Sequence, residues 1–171
     1  EEDHVVEIRL KEAYFPKFFD SIGNFSKLWH LEIQDSGMIS LPESVENLKY
    51  LQWLNLYGNW LTSIPQSLTK LTSLVLVDLA VNRLTSLPNS LGELINLKHL
   101  RLSRNQLTSL PESLDRTNLL SLDVQHNRLT SLPESLGTSP TLRQLLVLGN
   151  QLSFLPESFS NLKGLQDLYL T

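Results

Sequence analysis

Residues 97–111 read LKHLRLSRNQLTSLP, and this stretch decides the fold of the chain. Leucines stand at 97, 100, 102, 107 and 110, an asparagine stands at 105, and a proline closes the stretch at 111. The same frame surrounds five asparagines spaced 22 or 23 residues apart: Asn59, Asn82, Asn105, Asn127 and Asn150. A fixed period of this length indicates stacked units, each of which buries its apolar face against its neighbours.

The frame continues beyond the asparagines in both directions. Ser36 takes the asparagine position in the preceding unit, Ala13 takes it in the first unit, and leucines at 165, 168 and 170 begin one more. We therefore expect a single domain over 1–171. Its parts are an irregular N-terminal capping repeat at 1–27, regular repeats at 28–164 and a truncated last repeat at 165–171.

One unit can be understood from side-chain alternation in an extended segment. Leu54 and Leu56 point to one side and Trp53 and Tyr57 to the other, so the leucines enter the core. Asn59 follows at the turn, where its amide can bond backbone groups that the bend leaves without partners. The sequence predicts that the five asparagines form a structural ladder through the stack.

The residues after the turn predict the opposite side of each unit. Pro65 suits the first position of a helical turn, because its φ is preset and it has no amide hydrogen to satisfy. Glutamate follows the proline in four units, and a negative charge is favourable at the start of a helix. Short α or 3₁₀ turns are therefore expected here. The shortening in the 22-residue unit falls across 111–118, so we expect the missing residue to come out of this turn and not out of the strand.

The unit has 23 residues, with Leu-Pro-Glu-Ser-Leu at 132–136 and Asn-x-Leu-Thr-Ser-Leu-Pro at 105–111. It resembles the intracellular leucine-rich repeats of Ras-pathway scaffolds, plant Ras-group repeat proteins and bacterial type III secreted effectors. The resemblance implies an α/β fold, a right-handed leucine-rich repeat solenoid of about 7–8 repeats shaped like a horseshoe. It also implies a parallel β-sheet on the concave face, short helical turns on the convex face, and partner binding on the concave side.

Composition narrows the classes of partner. The net charge is −4, with 41% apolar and 19% charged residues. A negative chain of this kind argues against a nucleic-acid surface, and the sequence has no apolar run long enough for membrane insertion. The absence of cysteine favours a cytoplasmic location, or the host cytoplasm for a secreted effector. Asn24-Phe25-Ser26 is an opposing signal, because it matches the N-glycosylation pattern.

The concave face holds the candidate binding residues. An aromatic and apolar cluster on a side that the core does not need is formed by Trp53, Tyr57, Leu76, Ala80 and Val81, and Trp60 from the turn could add to it. A second cluster near the C-terminus contains Leu146, Leu148 and Tyr169. Exposed apolar patches of this kind mark contact sites, although an absent flanking domain could also cover them.

Charged and polar residues lie between the two clusters. Asp78, Arg101 and Asp123 alternate in sign on neighbouring strands, which indicates either a surface ladder of salt bridges or a device that orients an acidic partner group. His99 completes the predicted partner-binding set. His99, Ser121 and one aspartate could suggest a hydrolytic triad, but an open sheet offers neither shelter nor an oxyanion site. We therefore expect a protein that is not an enzyme and that needs no metal or other cofactor.

Two further expectations concern the ends and the role. Phe15, Phe18, Phe19 and Phe25 are expected to form the N-terminal cap, whereas the last strand has no polar cap and could support self-association through its edge. The predicted function is a non-catalytic scaffold that binds a protein or peptide partner. The alternative is a targeting module of a larger protein, such as a bacterial effector enzyme or a repeat-linked GTPase.

Overall fold

The structure, a computed structural model, describes residues 5–170. Glu1 to His4, which begin the predicted capping repeat, and Thr171, which ends the truncated one, lie outside the described residues. Within 5–170, eight strands form one sheet, and their spatial order is their order in the chain. All neighbouring strands are parallel: β1 (Glu7–Lys11), β2 (His30–Gln34), β3 (Trp53–Asn55), β4 (Leu76–Asp78), β5 (His99–Arg101), β6 (Ser121–Asp123), β7 (Gln144–Leu146) and β8 (Asp167–Tyr169). This architecture is the predicted repeat solenoid.

The segments that return from one strand to the next contain short helical turns. One α-helix, α1 (Pro16–Asp20), lies in the first coil. The 3₁₀ turns among the described residues are Ile22–Asn24, Glu43–Asn47, Gln66–Lys70, Asn89–Glu93, Glu112–Arg116, Glu134–Thr138 and Glu157–Asn161. A unit of 23 residues spends most of its length on the strand and two bends, so only a single tight turn fits on the convex side.

Pro16 begins α1, but in the later coils the prolines stand just before the 3₁₀ turns, so the expectation that they take the first helical position there was wrong. Pro65 has a ψ of 151°, which is extended, and the 3₁₀ turn begins at Gln66. The fixed φ of proline is compatible with either conformation. Its carbonyl accepts the first hydrogen bond of the turn from the Leu68 N–H at 3.1 Å.

The core lies between the sheet and the turns. Leu54, Leu56 and Leu61 have no exposed surface, and Ile64 is 6% exposed. Equivalent leucines of successive coils form one continuous buried cluster from Phe19 to Val147. Burial of a leucine side chain contributes roughly 1.5–3 kcal/mol, so the repeated leucine frame supplies the main driving force for stacking.

The five asparagines bond backbone groups of two coils each. In one example, the Asn59 Oδ1 accepts the Met38 N–H at 3.0 Å, and its Nδ2 donates to the carbonyls of Ile33 at 2.7 Å and Leu56 at 3.0 Å. Asn82, Asn105, Asn127 and Asn150 repeat this arrangement. Each side chain therefore completes its own bend and ties it to the coil before.

The 22-residue unit is shortened just after its 3₁₀ turn, so the expectation that the strand would be spared is confirmed, whereas the expectation that the turn itself would lose a residue was wrong. Its 3₁₀ turn Glu112–Arg116 keeps five residues, as the neighbouring turns do, and β5 and β6 keep three residues each. The shortening falls in 117–120, where the Thr117 hydroxyl donates to the Leu114 carbonyl at 2.6 Å and ends the turn. The turn is retained because Leu114 belongs to the buried core.

Three of the four phenylalanines expected in the N-terminal cap pack into or against the core. Phe19 is buried, and Phe18 packs against Phe25 with ring centroids 5.8 Å apart. Phe15 is 54% exposed, because it stands before α1, where its carbonyl, and not its ring, makes the helix contacts.

We expect Gly92→Ala to lower the free energy of unfolding by about 1 kcal/mol, the lower range for overpacking. A Cβ at Gly92 would lie 2.0 Å from the Ser113 backbone oxygen of the next coil, so backbone must move. The matched control is Gly164→Ala, whose Cβ would meet the movable end of Arg143. Urea unfolding of both variants checks this, and equal midpoints would contradict it.

Candidate functional site

The concave surface is organised by the register of the parallel strands. His30, Trp53, Leu76 and His99 are paired in sequence across β2, β3, β4 and β5. In the neighbouring column each residue is paired with the next one on the following strand, and the order is Asp78, Arg101, Asp123, Leu146 and Tyr169. Equivalent residues in adjacent strands lie about 4.8 Å apart, so each column is a continuous strip of surface.

Two exposed aromatic side chains of this face lie on β3 and just after it. Trp53 is 45% exposed and Tyr57 is 39% exposed, and Leu76 beside Trp53 is half-buried. We call these three residues the aromatic patch. Ala80, which the sequence placed in the same exposed cluster, is buried, because its methyl group is shorter than the side chains of Tyr57 and Ser103 on the adjoining coils.

His30 supports the patch in a way that sequence reasoning missed. It is buried, and its ring lies 5.7 Å from the Trp53 ring. Its Nδ1 lies 3.0 Å from a Glu7 carboxylate oxygen, and its Nε2 lies 3.4 Å from a Glu32 carboxylate oxygen. The two carboxylates fix the imidazole, and the imidazole gives the indole a fixed neighbour. The signal was the adjacency of His30 and Trp53 in one column.

The alternating charges of the central column form one ion pair among the described residues. The Asp78 Oδ2 accepts from Arg101 Nη1 at 3.3 Å, and its Oδ1 accepts the Ala80 N–H at 3.0 Å. Asp123 instead accepts from the backbone and side-chain amides of Gln125, at 3.1 and 3.2 Å. The Arg101 side chain remains 56% exposed, so it can still reach a partner group.

The residues that could suggest a triad are engaged elsewhere. The Ser121 hydroxyl donates to the Gln144 side-chain oxygen at 2.8 Å. Asp78 and Asp123 hold Arg101 and Gln125, as described above. His99 is half-buried beside Arg101 and Lys98. In residues 5–170 there is no group of three histidine or acidic side chains that could hold a metal ion.

Burial lowers the pKa of His99, and the positive charges of Arg101 and Lys98 lower it further. The folded chain therefore binds a proton here less readily than the unfolded chain, and stability declines as pH falls below about 6.5. We expect His99→Gln to flatten the fall in unfolding free energy between pH 7.5 and pH 5. Urea titrations of both chains across this range test the point, and parallel curves would contradict it.

The second cluster lies at the C-terminal end of the sheet. Leu146 is half-buried, Leu148 is 37% exposed and Tyr169 is 56% exposed. Leu168 occupies a core position in the repeat, yet it is 40% exposed, because no coil within the described residues covers β8.

Two family models match the chain. A model described as leucine-rich repeat region matches residues 10–98, more than half of the chain, and one described as leucine rich repeat matches residues 72–129. The chain belongs to the leucine-rich repeat family. A search of curated proteins found no match.

Solved structures include several similar leucine-rich repeat folds. A leucine-rich repeat protein of Leptospira interrogans superposes with a TM-score of 0.77 at 26% identity, over 98% of this chain and 49% of that one. The ectodomain of the membrane receptor kinase GASSHO1/SCHENGEN3 of Arabidopsis thaliana, in complex with Casparian strip integrity factor 2, gives 0.84 at 26% identity, over 98% and 21%. The leucine-rich repeat domain of the type III effector XopL gives 0.75 at 24% identity, over 96% and 76%, which supports the fold alone.

This leucine-rich repeat chain thus spans about half or less of the first two structures that it matches. Within residues 5–170, no helix is long and apolar enough to cross a membrane. The concave face of the repeats carries the aromatic patch, the Asp78–Arg101 pair and the C-terminal cluster in one continuous sheet.

Proposed function

We propose that this leucine-rich repeat domain is a non-catalytic scaffold that binds a protein or peptide partner on its concave face. The observation that carries the proposal is the aromatic patch, in which Trp53 and Tyr57 are 45% and 39% exposed on the side of the sheet that the core does not use. Leucine-rich repeat domains commonly serve as interaction modules, and one of the similar structures is the complex with Casparian strip integrity factor 2.

The physical argument starts from desolvation. Aromatic side chains bury 150–250 Å² each, roughly, and they supply a large share of the energy at protein interfaces. The contact with the buried His30 ring restricts Trp53 before a partner arrives, so less rotamer freedom remains to be lost on binding. The aromatic patch therefore supplies affinity.

The charged column is proposed to supply orientation. Asp78 holds Arg101 from one side, and the exposed guanidinium faces outward between the aromatic patch and the C-terminal cluster. An acidic group of the partner could pair with Arg101 without breaking the existing contact, because guanidinium has five N–H donors. His99 and Asp123 flank Arg101 in this arrangement, and Leu146, Leu148 and Tyr169 form a second apolar contact.

Site-specific photo-crosslinking tests the location. A photoreactive phenylalanine analogue at Tyr57 is expected to crosslink a partner purified with the domain, whereas the same analogue at Tyr50 is not. Tyr50 is the matched control, since it is 57% exposed but precedes β3 on the way from the convex turn. Crosslinking from Tyr50 with none from Tyr57 would reject the concave site.

The second candidate is a recognition module within a larger protein, such as a secreted effector enzyme or a repeat-linked GTPase. The support is that one similar structure, at 26% identity, is the leucine-rich repeat ectodomain of a plant membrane receptor kinase, and this chain covers 21% of it. A cytoplasmic location, or the host cytoplasm for an effector, fits the lack of cysteine. Both candidates predict that residues 1–171 alone bind the partner with the affinity of the full natural protein. An assay of the full natural protein for enzymatic or GTPase activity separates them, because only the second candidate predicts such an activity.

The edge of β8 is expected to promote self-association of the 171-residue chain. Leu168 and Tyr169 are exposed beside it, and open strand edges pair readily. Sedimentation of the chain and of a Leu168→Lys variant tests this. A wild-type chain that stays monomeric at high concentration would contradict the expectation.

A further inference from the structure

A second candidate site lies where the first coils turn away from the sheet. Tyr14, Gly37, Trp60 and Arg83 are equivalent residues of four consecutive coils, since each follows the ladder position of its repeat. The coils are held in register here: the Trp60 N–H donates to the Met38 carbonyl, and the Arg83 N–H donates to the Leu61 carbonyl, both at 2.9 Å. Glycine in the second coil leaves a gap between two aromatic side chains.

The gap is a cavity with aromatic walls. A Cβ at Gly37 would lie 3.4 Å from Tyr14 Cδ2 and 3.7 Å from Trp60 Cζ3, so the two rings border the place where a side chain is missing. Gly37 has a φ of +68°, a conformation that few other residues adopt, which keeps this place empty. The cavity has a volume of about 320 Å³ and is lined by Glu12, Tyr14, Asp35, Ser36, Gly37 and Trp60.

Two carboxylates give the cavity a negative rim. Glu12 and Asp35 precede the ladder positions of adjacent coils, and their backbone N–H groups donate to the carbonyls of Gln34 and Tyr57, each at 3.0 Å. The missing side chain of Gly58 makes room for the Asp35 carboxylate, because a Cβ there would lie 2.0 Å from its Oδ1. Neither Glu12 nor Asp35 forms an ion pair with any residue in 5–170.

The chain itself contains a guanidinium packed against an aromatic ring in the column of residues that follow the ladder positions. Arg83, in the coil after Trp60, places its guanidinium carbon 5.2 Å from the centre of the Trp60 ring. Gly37 is the corresponding position in the coil before Trp60. A cation at that position would have Trp60 on one side and Tyr14 on the other, whereas Arg83 has only one ring.

We propose that this cavity binds the guanidinium of an arginine side chain of a partner protein. Two coil steps of about 4.8 Å separate Tyr14 from Trp60, so a group midway lies about 5 Å from each ring, within the range of a cation–π contact. A planar guanidinium can stack between the rings while its edge N–H groups donate to Glu12 and Asp35, which a tetrahedral ammonium does less well. This site and the concave aromatic patch use different residues, so an experiment can reject the proposal for one site and leave the proposal for the other intact.

The test is an NMR titration of the whole 171-residue chain with N-acetyl-arginine N-methylamide. The indole N–H signal of Trp60, identified by its loss in Trp60→Phe, reports binding. Matched probes are the citrulline analogue, which is nearly isosteric but neutral, and the lysine analogue. We expect saturable shifts with the arginine probe, and binding of the citrulline and lysine probes that is weaker by about threefold or more.

Variants of the chain identify the groups involved. Asp35→Asn and Glu12→Gln should each weaken the arginine probe by about threefold to tenfold. Gly37→Asn, a residue that tolerates positive φ, should fill the gap and abolish the shift. Glu43→Gln on the convex side is the charge-matched control and should change nothing. Equal binding of arginine and citrulline probes, or full binding to Gly37→Asn, would overturn the proposal, and lysine binding as tight as arginine would overturn the assignment to guanidinium.

Discussion

Replacing Trp53 and Tyr57 together with alanine is expected to weaken a concave-face partner by more than about 2 kcal/mol, a loss typical of interface hot spots. Both side chains are substantially exposed in the free domain, so their area is available to be removed from water on binding. Neither ring belongs to the continuous buried core, so the free energy of unfolding should change little. Calorimetric titration of a partner captured from the native host, paired with urea unfolding, measures both quantities.

The controls separate the aromatic patch from aromatic exposure in general. Tyr50→Ala removes a ring that is more exposed than Trp53 or Tyr57, at 57%, from outside the concave face, and it should leave the affinity unchanged. Glu112→Gln and Glu134→Gln alter the convex turns and should do the same. If Tyr50→Ala weakens binding and the double variant does not, the partner sits on another face.

Asn105→Ala is expected to lower the free energy of unfolding by about 2–3 kcal/mol, at the upper end of the cost of leaving buried polar groups unpaired. Its Oδ1 accepts the Leu84 N–H at 2.9 Å, and its Nδ2 donates to the carbonyls of Leu79 and Leu102 at 2.9 and 3.0 Å. Alanine leaves these backbone groups buried without a partner, in two coils at once. Urea unfolding followed by circular dichroism gives the change in midpoint.

A second asparagine provides the comparison for this variant. Asn96 also bonds a backbone group of the preceding coil, the Thr72 carbonyl at 2.8 Å, but it lies at the exposed surface, where water can replace it. Asn96→Ala should therefore cost well under 1 kcal/mol, roughly the net value of one exposed hydrogen bond. Similar losses for Asn96→Ala and Asn105→Ala would show that burial is not what makes the ladder important.

The sequence predicted the sheet, its register and the leucine core, because all three follow from one period repeated along the chain. A leucine at 54 or 100 meets the same surroundings in every coil, so its burial does not depend on unusual neighbours. Alternation also placed Trp53 and Tyr57 on the concave side. What the period cannot supply is the effect of side chains that differ between coils.

Three residues illustrate that limit. Ala80 lies on the predicted face but is buried, since the side chains of Tyr57 and Ser103 on the adjoining coils are longer than its methyl group. His30 supports Trp53 only because Glu7 and Glu32 stand on either side of it. Gly37 creates a cavity because its two neighbours in the column are aromatic, a fact that depends on comparing successive repeats position by position. Each of these features depends on the side chains of the adjacent coils, so it cannot be predicted from the pattern of a single repeat.

Within residues 5–170, the asparagine hydrogen bonds and the strand pairs join each coil only to the coils beside it. Such a molecule behaves as a linear array in which stability is the sum of local terms and nearest-neighbour couplings, and fraying can begin at one end and travel inward. A partner that spans β3 to β7 would connect coils that have no direct contact with each other. Binding would then raise the cooperativity of unfolding as well as the stability, and amide hydrogen exchange in the middle coils would slow together instead of coil by coil.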